Sequence, residues 1–169
     1  GFLSEDLSAS NLLKSLKLAR EDRSVKAVIV DGERADFAPA DSKAAIVARA
    51  ASYVPNNCTI ALDAGTSILE LCPYLKEREN LIIISSDVHS SAELLTAGNS
   101  KIYIMGGFLT PDGTSSGTFA KEFLNNITGI DVFLFSTDGA DLEDGLSTDE
   151  AGINNLKNLY LKKAKKRIA

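Results

Sequence analysis

The sequence predicts an α/β fold of three layers, α/β/α, around a mainly parallel sheet of Rossmann-like type. Three observations predict it: short runs that are apolar throughout, such as L-I-I-I-S at Leu81 to Ser85; helical patterns between those runs; and a small polar turn after each one. Strands buried on both faces read as continuous apolar runs, and the helices between them supply the crossovers that parallel pairing needs. At 169 residues, 44% hydrophobic and 24% charged, the chain suits one domain with a substantial core.

Taken in order, Ser8 to Asp22 carries Leu12, Leu13, Leu16 and Ala19 at helical spacing, with Ser8 or Ser10 able to cap. Val25 to Val30 is a short β-branched run ending at the turn signal Asp31-Gly32, and Glu33 to Ala40 reads as a linker. These divide the chain into an N-terminal piece, 1–37, and a main domain, 38–169. Ala44, Ile46, Val47, Ala50, Ala51 and Val54 predict a helix over Asp41 to Val54, closed by Pro55-Asn56-Asn57. Strand Thr59 to Leu62 is followed by a helix over Thr66 to Lys76, in which Pro73 calls for a break or kink. Next come strand Leu81 to Ser85 with helix Ser90 to Ala97, and strand Lys101 to Met105 ending at Gly106-Gly107. A loop over Phe108 to Ser115 leads to helix Gly117 to Asn125, strand Asp131 to Phe135, and a long final helix over Thr148 to Arg167. Ile153, Leu156, Tyr160, Ala164 and Ile168 mark one face of that last helix.

Charge and composition narrow the partners. A net charge of -5 opposes a surface-wide basic footprint for nucleic acid. Lys14, Lys17 and Arg20 form one local basic cluster; Lys162, Lys163, Lys165, Lys166 and Arg167 form another, which reads as a solvated helix end. No apolar run approaches the roughly 20 residues of a membrane span, and no signal-peptide pattern opens the chain, so the expected location is cytoplasmic, with no membrane partner. Cys58 and Cys72 lack CxxC or Cys/His spacing and read as reduced structural thiols; no metal site and no cofactor is expected.

Right-handed crossovers place all strand C-terminal ends on one edge, where open α/β sheets bind ligands. Asp63 to Ser67, Ser85-Ser86-Asp87, Gly106-Gly107 and Ser136 to Asp141 each follow a strand there. The first is the most informative. In D-A-G-T-S a small-residue turn lets the backbone approach a ligand, and the free N–H groups of the following helix start face the same space with the positive end of its dipole. Ser, Gly and Asp also make plain turns. Four such turns on one edge nonetheless suit a polyol carrying a phosphate, with hydroxyls and amides for the anion and carboxylates for sugar hydroxyls.

Several of these pieces together resemble the effector-binding domain of DeoR-type bacterial transcriptional regulators. The matching features are Lys43 before the first strand, L-D-A-G-T-S (62 to 67), I-I-I-S-S-D (82 to 87), I-M-G-G (104 to 107), S-G (116 to 117), D-V-F-L-F-S-T-D-G-A-D (131 to 141) and D-G-L-S-T (144 to 148). Their order and spacing over about 125 residues carry the resemblance. It implies a fold related to ribose-5-phosphate isomerases and an effector that is a phosphorylated sugar or sugar catabolite. Binding of that effector would change how the regulator, as a homo-oligomer, holds operator DNA. By the same resemblance Asp63, Gly65, Thr66 and Ser67 bind the phosphate, and Ser85, Gly106, Gly107, Asp138 and Gly139 surround the sugar. L-S-A-S-N-L-L-K-S-L (7 to 16) has the spacing of a winged helix-turn-helix recognition helix, with Val25 to Val30 as wing strand, although most of a DNA-binding domain is absent from residues 1–37. The family adds a further strand and a D-x-S-K-F stretch; with the chain ending at Ile168-Ala169, that strand is expected to be missing and phosphate binding weakened.

Two alternatives come from other classes. Asp138-Gly139-Ala140-Asp141 is similar to the D-G-A-D stretch of ribose-5-phosphate isomerases, and Asp138 or Asp141 would serve as the base of an enediol mechanism. The Lys-Gly-Gly-Gly loop that follows in those enzymes is replaced here by Leu142-Glu143-Asp144-Gly145-Leu146-Ser147, so no cation is expected near the carboxylates and no residue is assigned as catalytic. His89, the one histidine, is expected to have a surface or capping role. The third possibility is an oligomerisation module with a vestigial pocket.

Overall fold

The computed structural model describes residues 40–137, 139–141, 145–147 and 151–169. The predicted N-terminal helix, the wing strand and the linker therefore lie outside the described residues. Within them the order is α1 (Ala40–Ala51), β1 (Thr59–Leu62), α2 (Thr66–Lys76), β2 (Leu81–Ser85), α3 (Val88–Leu95), β3 (Ser100–Ile104), β4 (Phe108–Leu109), β5 (Ser115–Ser116), α4 (Thr118–Asn126), β6 (Ile130–Leu134), β7 (Gly139–Asp141), β8 (Gly145–Ser147), α5 (Ala151–Lys163) and β9 (Ala164–Ile168).

Five strands form one parallel sheet in the order β3-β2-β1-β6-β9. Alternation of side chains sorts the strand residues between two cores. Ile60, Leu62, Ile83, Val132 and Leu134 pack with Val47, Ile68, Leu71, Leu75 and Leu94 of α1–α3 on one face. Ala61, Ile84 and Phe133 pack with Ala120, Leu124 and Tyr160 of α4 and α5 on the other. The expected three layers and mainly parallel sheet are thus present. Ile60, Ala61 and Leu62 are fully buried, which is why β1 carries no polar residue between Thr59 at its start and Asp63.

Three expectations are corrected. The last helix does not run to Arg167: α5 ends at Lys163, and Ala164–Ile168 is a strand paired in parallel with β6, Ala164 opposite Ile130 and Ile168 opposite Leu134. The strand expected to be missing is therefore present. Residues four apart share a face in both a helix and a strand, so buried Ala164 and Ile168 satisfied either pattern. Nor is the basic cluster a solvated helix end. Lys163 donates to the carbonyls of Asn125 and Ile127, Lys166 to that of Tyr53, and Arg167 to that of Leu161; Lys165 pairs with Asp131 at 2.8 Å. Asp131 also accepts from Thr59 N at 2.9 Å, tying the starts of β1, β6 and β9 together.

The helix α2 continues through Pro73 without ending there. The carbonyl that proline leaves unbonded belongs to Leu69, on the partly exposed side of the helix. Cys58 and Cys72 are buried free thiols, and burial, with the nearby carboxylates of Glu93 and Asp87, pushes Cys72 up to about 12.

The predicted loop after β3 is instead a small hairpin, β4 paired with β5, which folds over the end of β2. Ser115 N donates to Ser86 O at 2.7 Å, Val88 N to Gly113 O at 3.1 Å, and the Ser115 hydroxyl to Met105 O. Gly107 opens this hairpin at φ 151°, and a Cβ there would lie 1.9 Å from Ser116 O. Gly107→Ala is expected to cost more than about 2 kcal/mol, whereas Gly98→Ala, at φ 69° with nothing within 4 Å, should cost about 1 kcal/mol. Thermal melts of the two variants side by side check the difference.

Candidate functional site

The strand order reverses between β1 and β6. From β1 the chain moves outward to β2 and β3, then returns to lay β6 on β1's other side and β9 beyond it. The helices that follow β1 and β6 pack on opposite faces of the sheet, which makes the C-terminal ends of these two strands the switch point, where ligands of open α/β sheets lie in a crevice.

Three segments meet there. Asp63, Ala64 and Gly65 leave β1; Phe135 and Ser136 leave β6; Lys157 and Tyr160 face them from α5. Asp63 N donates to Leu134 O at 3.0 Å, continuing the pairing one residue past the strand. The buried Asp63 carboxylate accepts from Ser136 N at 3.2 Å and from the Ser136 hydroxyl at 3.4 Å. Lys157 Nζ, itself largely buried, lies 2.9 Å from Asp63 Oδ2 and donates to Ser136 O at 2.9 Å. Burial pushes the Asp63 carboxyl upward, partly offset by the Lys157 ammonium and by the N–H groups of Ala64 and Ser136. Tyr160, one turn beyond Lys157, stacks on Phe133 at 4.8 Å; burial and then the Asp63 charge push its hydroxyl upward.

Helix α2 starts beside this cluster. Its N-cap is Gly65 at φ 124°, and no side chain among the described residues caps it. Ser67, in the first turn, is fully buried, and its Oγ has no partner among the described residues; the same holds for the buried Tyr160 hydroxyl. A buried hydroxyl without a partner costs about 1–3 kcal/mol, so a polar group is wanted at Ser67, in the first turn of α2, and at Tyr160, whose hydroxyl feels the Asp63 charge. Gly65 is required by its backbone: a Cβ would sit 3.4 Å from Ser136 Oγ, at a φ that L side chains rarely adopt.

Helix α3 shows the alternative. The Asp87 carboxylate accepts from His89 N at 3.0 Å, Ser90 N at 3.1 Å and the Ser90 hydroxyl. The positive end of α3 is thus filled by its own chain. His89 does not cap; its ring lies against Gly113, where a Cβ would approach Nε2 to 2.6 Å.

The predicted residues therefore separate. Asp63, Gly65 and Ser67 come together at the β1/β6 crevice, with Thr66 in the first turn of α2 between them. Ser85 is buried at the end of β2, its hydroxyl accepting from Asp87 N at 3.0 Å. Gly106 and Gly107 are exposed beyond β3 and belong to the hairpin. Gly139 begins β7, and Asp138 lies outside the described residues. Lys157, Ser136 and Tyr160 complete the crevice. Lys157 brings a cation from α5 to Asp63; the side chains of Asp138 and Asp141, near which no cation is expected, lie outside the described ones.

Removing one partner of a largely buried ion pair leaves an uncompensated charge. Lys157→Met is expected to destabilise the protein by about 3 kcal/mol at neutral pH, and adding Asp63→Asn should recover most of that loss. Because the Asp63 pKa is raised on folding, the folded state binds its proton more tightly. The stability of Lys157→Met should therefore be highest near pH 4, close to the unfolded carboxyl's own value, and fall as pH rises through the folded one. Denaturant titrations of the single and double variants across pH check this.

Comparison with known proteins agrees with this architecture. A family model described as the DeoR C-terminal sensor domain matches residues 39–169. The HTH-type transcriptional regulator GolR of Listeria innocua is 32% identical over 130 residues, 76% of this chain and 51% of that one. The transcriptional repressor AccR of Agrobacterium fabrum is 31% identical over 113 residues, 66% of this chain and 43% of that one. The chain spans about half the length of the curated relatives it matches. Among solved structures, ribose 5-phosphate isomerase from Plasmodium falciparum has a TM-score of 0.54 at 15% identity, covering 76% of this chain and 49% of that one, a likeness of fold. The uncapped crevice at the switch point is thus carried on an effector-binding domain of transcriptional regulators: the chain belongs to the DeoR C-terminal sensor-domain family.

Proposed function

We propose that the β1/β6 crevice binds a phosphorylated sugar or sugar catabolite, and that this binding controls how the full-length cytoplasmic regulator holds operator DNA through a DNA-binding domain largely outside this chain. The observation that carries the reading is the start of α2, whose N-cap is a glycine, with the buried Ser67 hydroxyl in its first turn, without a partner among the described residues. A helix N-terminus suits a phosphate through its backbone N–H groups and the positive end of its dipole. The Lys157 ammonium adds a cation, and Tyr160 offers a donor for a hydroxyl or phosphate oxygen. The sugar would extend toward Gly139 and the segment holding Asp138.

The regulators among the relatives favour a sensor over an isomerase. A thermal-shift series with sugar phosphates and their unphosphorylated parents tests this. At about 100 times Kd the true effector adds about 2.7 kcal/mol of stability. The shift should require the phosphate and disappear in Gly65→Asp, and incubation should yield no isomer.

A homo-oligomer is the second part of the proposal, and one feature favours it. Ile82, Tyr103, Ile104, Phe108, Leu109 and Phe119 are all exposed at the β3 end of the sheet, Phe119 at 71%. A strand edge with open hydrogen-bonding groups beside an apolar patch suits the same edge of a second copy about a two-fold axis. At the opposite edge β9 carries Lys165, Lys166 and Arg167, side chains that discourage strand pairing. Tyr103→Glu with Phe119→Asp should shift the molecular mass in solution, measured by light scattering, from dimer to monomer.

A further inference from the structure

Asp63 is an unexpected neighbour for an anion. It stands two residues before the N-cap of α2, and its carboxylate is held by Ser136 N, the Ser136 hydroxyl and Lys157 Nζ. Lys157 is itself divided, donating to Asp63 Oδ2 and to Ser136 O at 2.9 Å each. The cluster adjoins the helix start directly, since Ser136 Oγ lies 3.4 Å from where a Gly65 Cβ would be and donates to Ala64 O at 3.1 Å. A phosphate at that start would meet a cation already neutralised and a carboxylate that repels it. Two anions beside one ammonium compete for it.

Resting on the reading that the α2 N-terminus takes a phosphate, we propose that Lys157 is the cation an anionic effector recruits and that Asp63 is its internal competitor. Binding then exchanges a carboxylate oxygen for a phosphate oxygen on the same ammonium. No bond is made or broken other than hydrogen bonds and ion pairs. Asp63 acts on the ligand through Lys157 and not by contact. The exchange also has a mechanical side: Asp63 joins β1 to α5 through Lys157, and α5 runs without a break into β9 at Ala164. Releasing that tie gives the occupied crevice a way to act on the last helix and strand of the domain.

The test is isothermal titration with inorganic phosphate on the wild-type domain, Asp63→Asn, Lys157→Met and the double variant, each first shown to melt cooperatively. Asp63→Asn should bind phosphate about tenfold more tightly than wild type, the gain expected of one charge-assisted hydrogen bond no longer shared. Lys157→Met and the double variant should lose binding by a similar factor or more. Equal or weaker phosphate binding by Asp63→Asn overturns the proposal, as does unchanged binding by Lys157→Met. If Asp63→Asn does not fold, the wild-type Asp63 carboxyl carbon, observed by NMR, should shift saturably as phosphate is added; no shift overturns the competition. The two readings fail separately. Sugar phosphates that bind with no gain in Asp63→Asn leave the sensor and remove the competition. Lys157-dependent phosphate binding without recognition of any sugar phosphate does the reverse.

Discussion

The carboxylate of Asp63 is the point on which the functional end of the domain depends. It is the first polar side chain after a fully buried strand, and it joins three segments distant in the chain: the turn after β1, the turn after β6 and the middle of α5. The parallel sheet brings the first two together, because β1 and β6 are hydrogen-bonded neighbours. Core packing of α5, with Tyr160 stacked on Phe133, brings the third up to them, and the ion pair joins it to the other two. Burying a charge is costly unless it is paired and hydrogen-bonded, so the Asp63 carboxylate at this place calls for a partner such as Lys157.

The turns after the sheet strands are chemically alike and structurally unlike. The turn after β2 is closed by its own side chains: Ser85 holds Asp87, Asp87 caps α3, and the β4–β5 hairpin lies on top. The turn after β1 keeps a glycine N-cap and a buried hydroxyl without a partner. Composition alone does not separate these cases, since both are Ser, Asp and small residues. What separates them is whether a carboxylate sits at the N-cap, as Asp87 does, or two residues before it, as Asp63 does. In the first place it fills the helix start; in the second it turns away from the start toward Lys157 of α5.

Much of the fold was legible because the central strands are short and uniformly apolar. Strands β1 and β2 carry the predicted bounds, and β3 and β6 differ by one residue at each end. Strand β9 was hidden because A-K-K-R-I has almost no strand character of its own; it forms through pairing with β6 and by spending its cations on nearby carbonyls and on Asp131. The hairpin was hidden because each strand has only two residues. At the site, the D-A-G-T-S turn was readable since strand, small residues and helix are contiguous. Lys157 was not: it is one lysine among several in a helix, and its partner stands far back in the sequence. The signal that could have found it is the need itself, a buried carboxylate before an anion-binding turn. The predicted sugar-side residues Ser85, Gly106 and Gly107 lie instead where the hairpin covers β2 and β3.

That the cluster draws on three distant stretches has a consequence for synthesis. While the chain is being made, β1 and α2 can emerge with the proposed phosphate turn complete, yet Lys157, the partner of Asp63, is still inside the ribosome until α5 has followed. Contacts of such long separation form late, since loop closure precedes the gain from pairing. A nascent domain therefore holds the turn after β1 before it holds the ion pair that ties that turn to α5. That tie becomes possible only once the last helix has docked, and on the reading proposed above this couples the onset of sensing to the completion of folding.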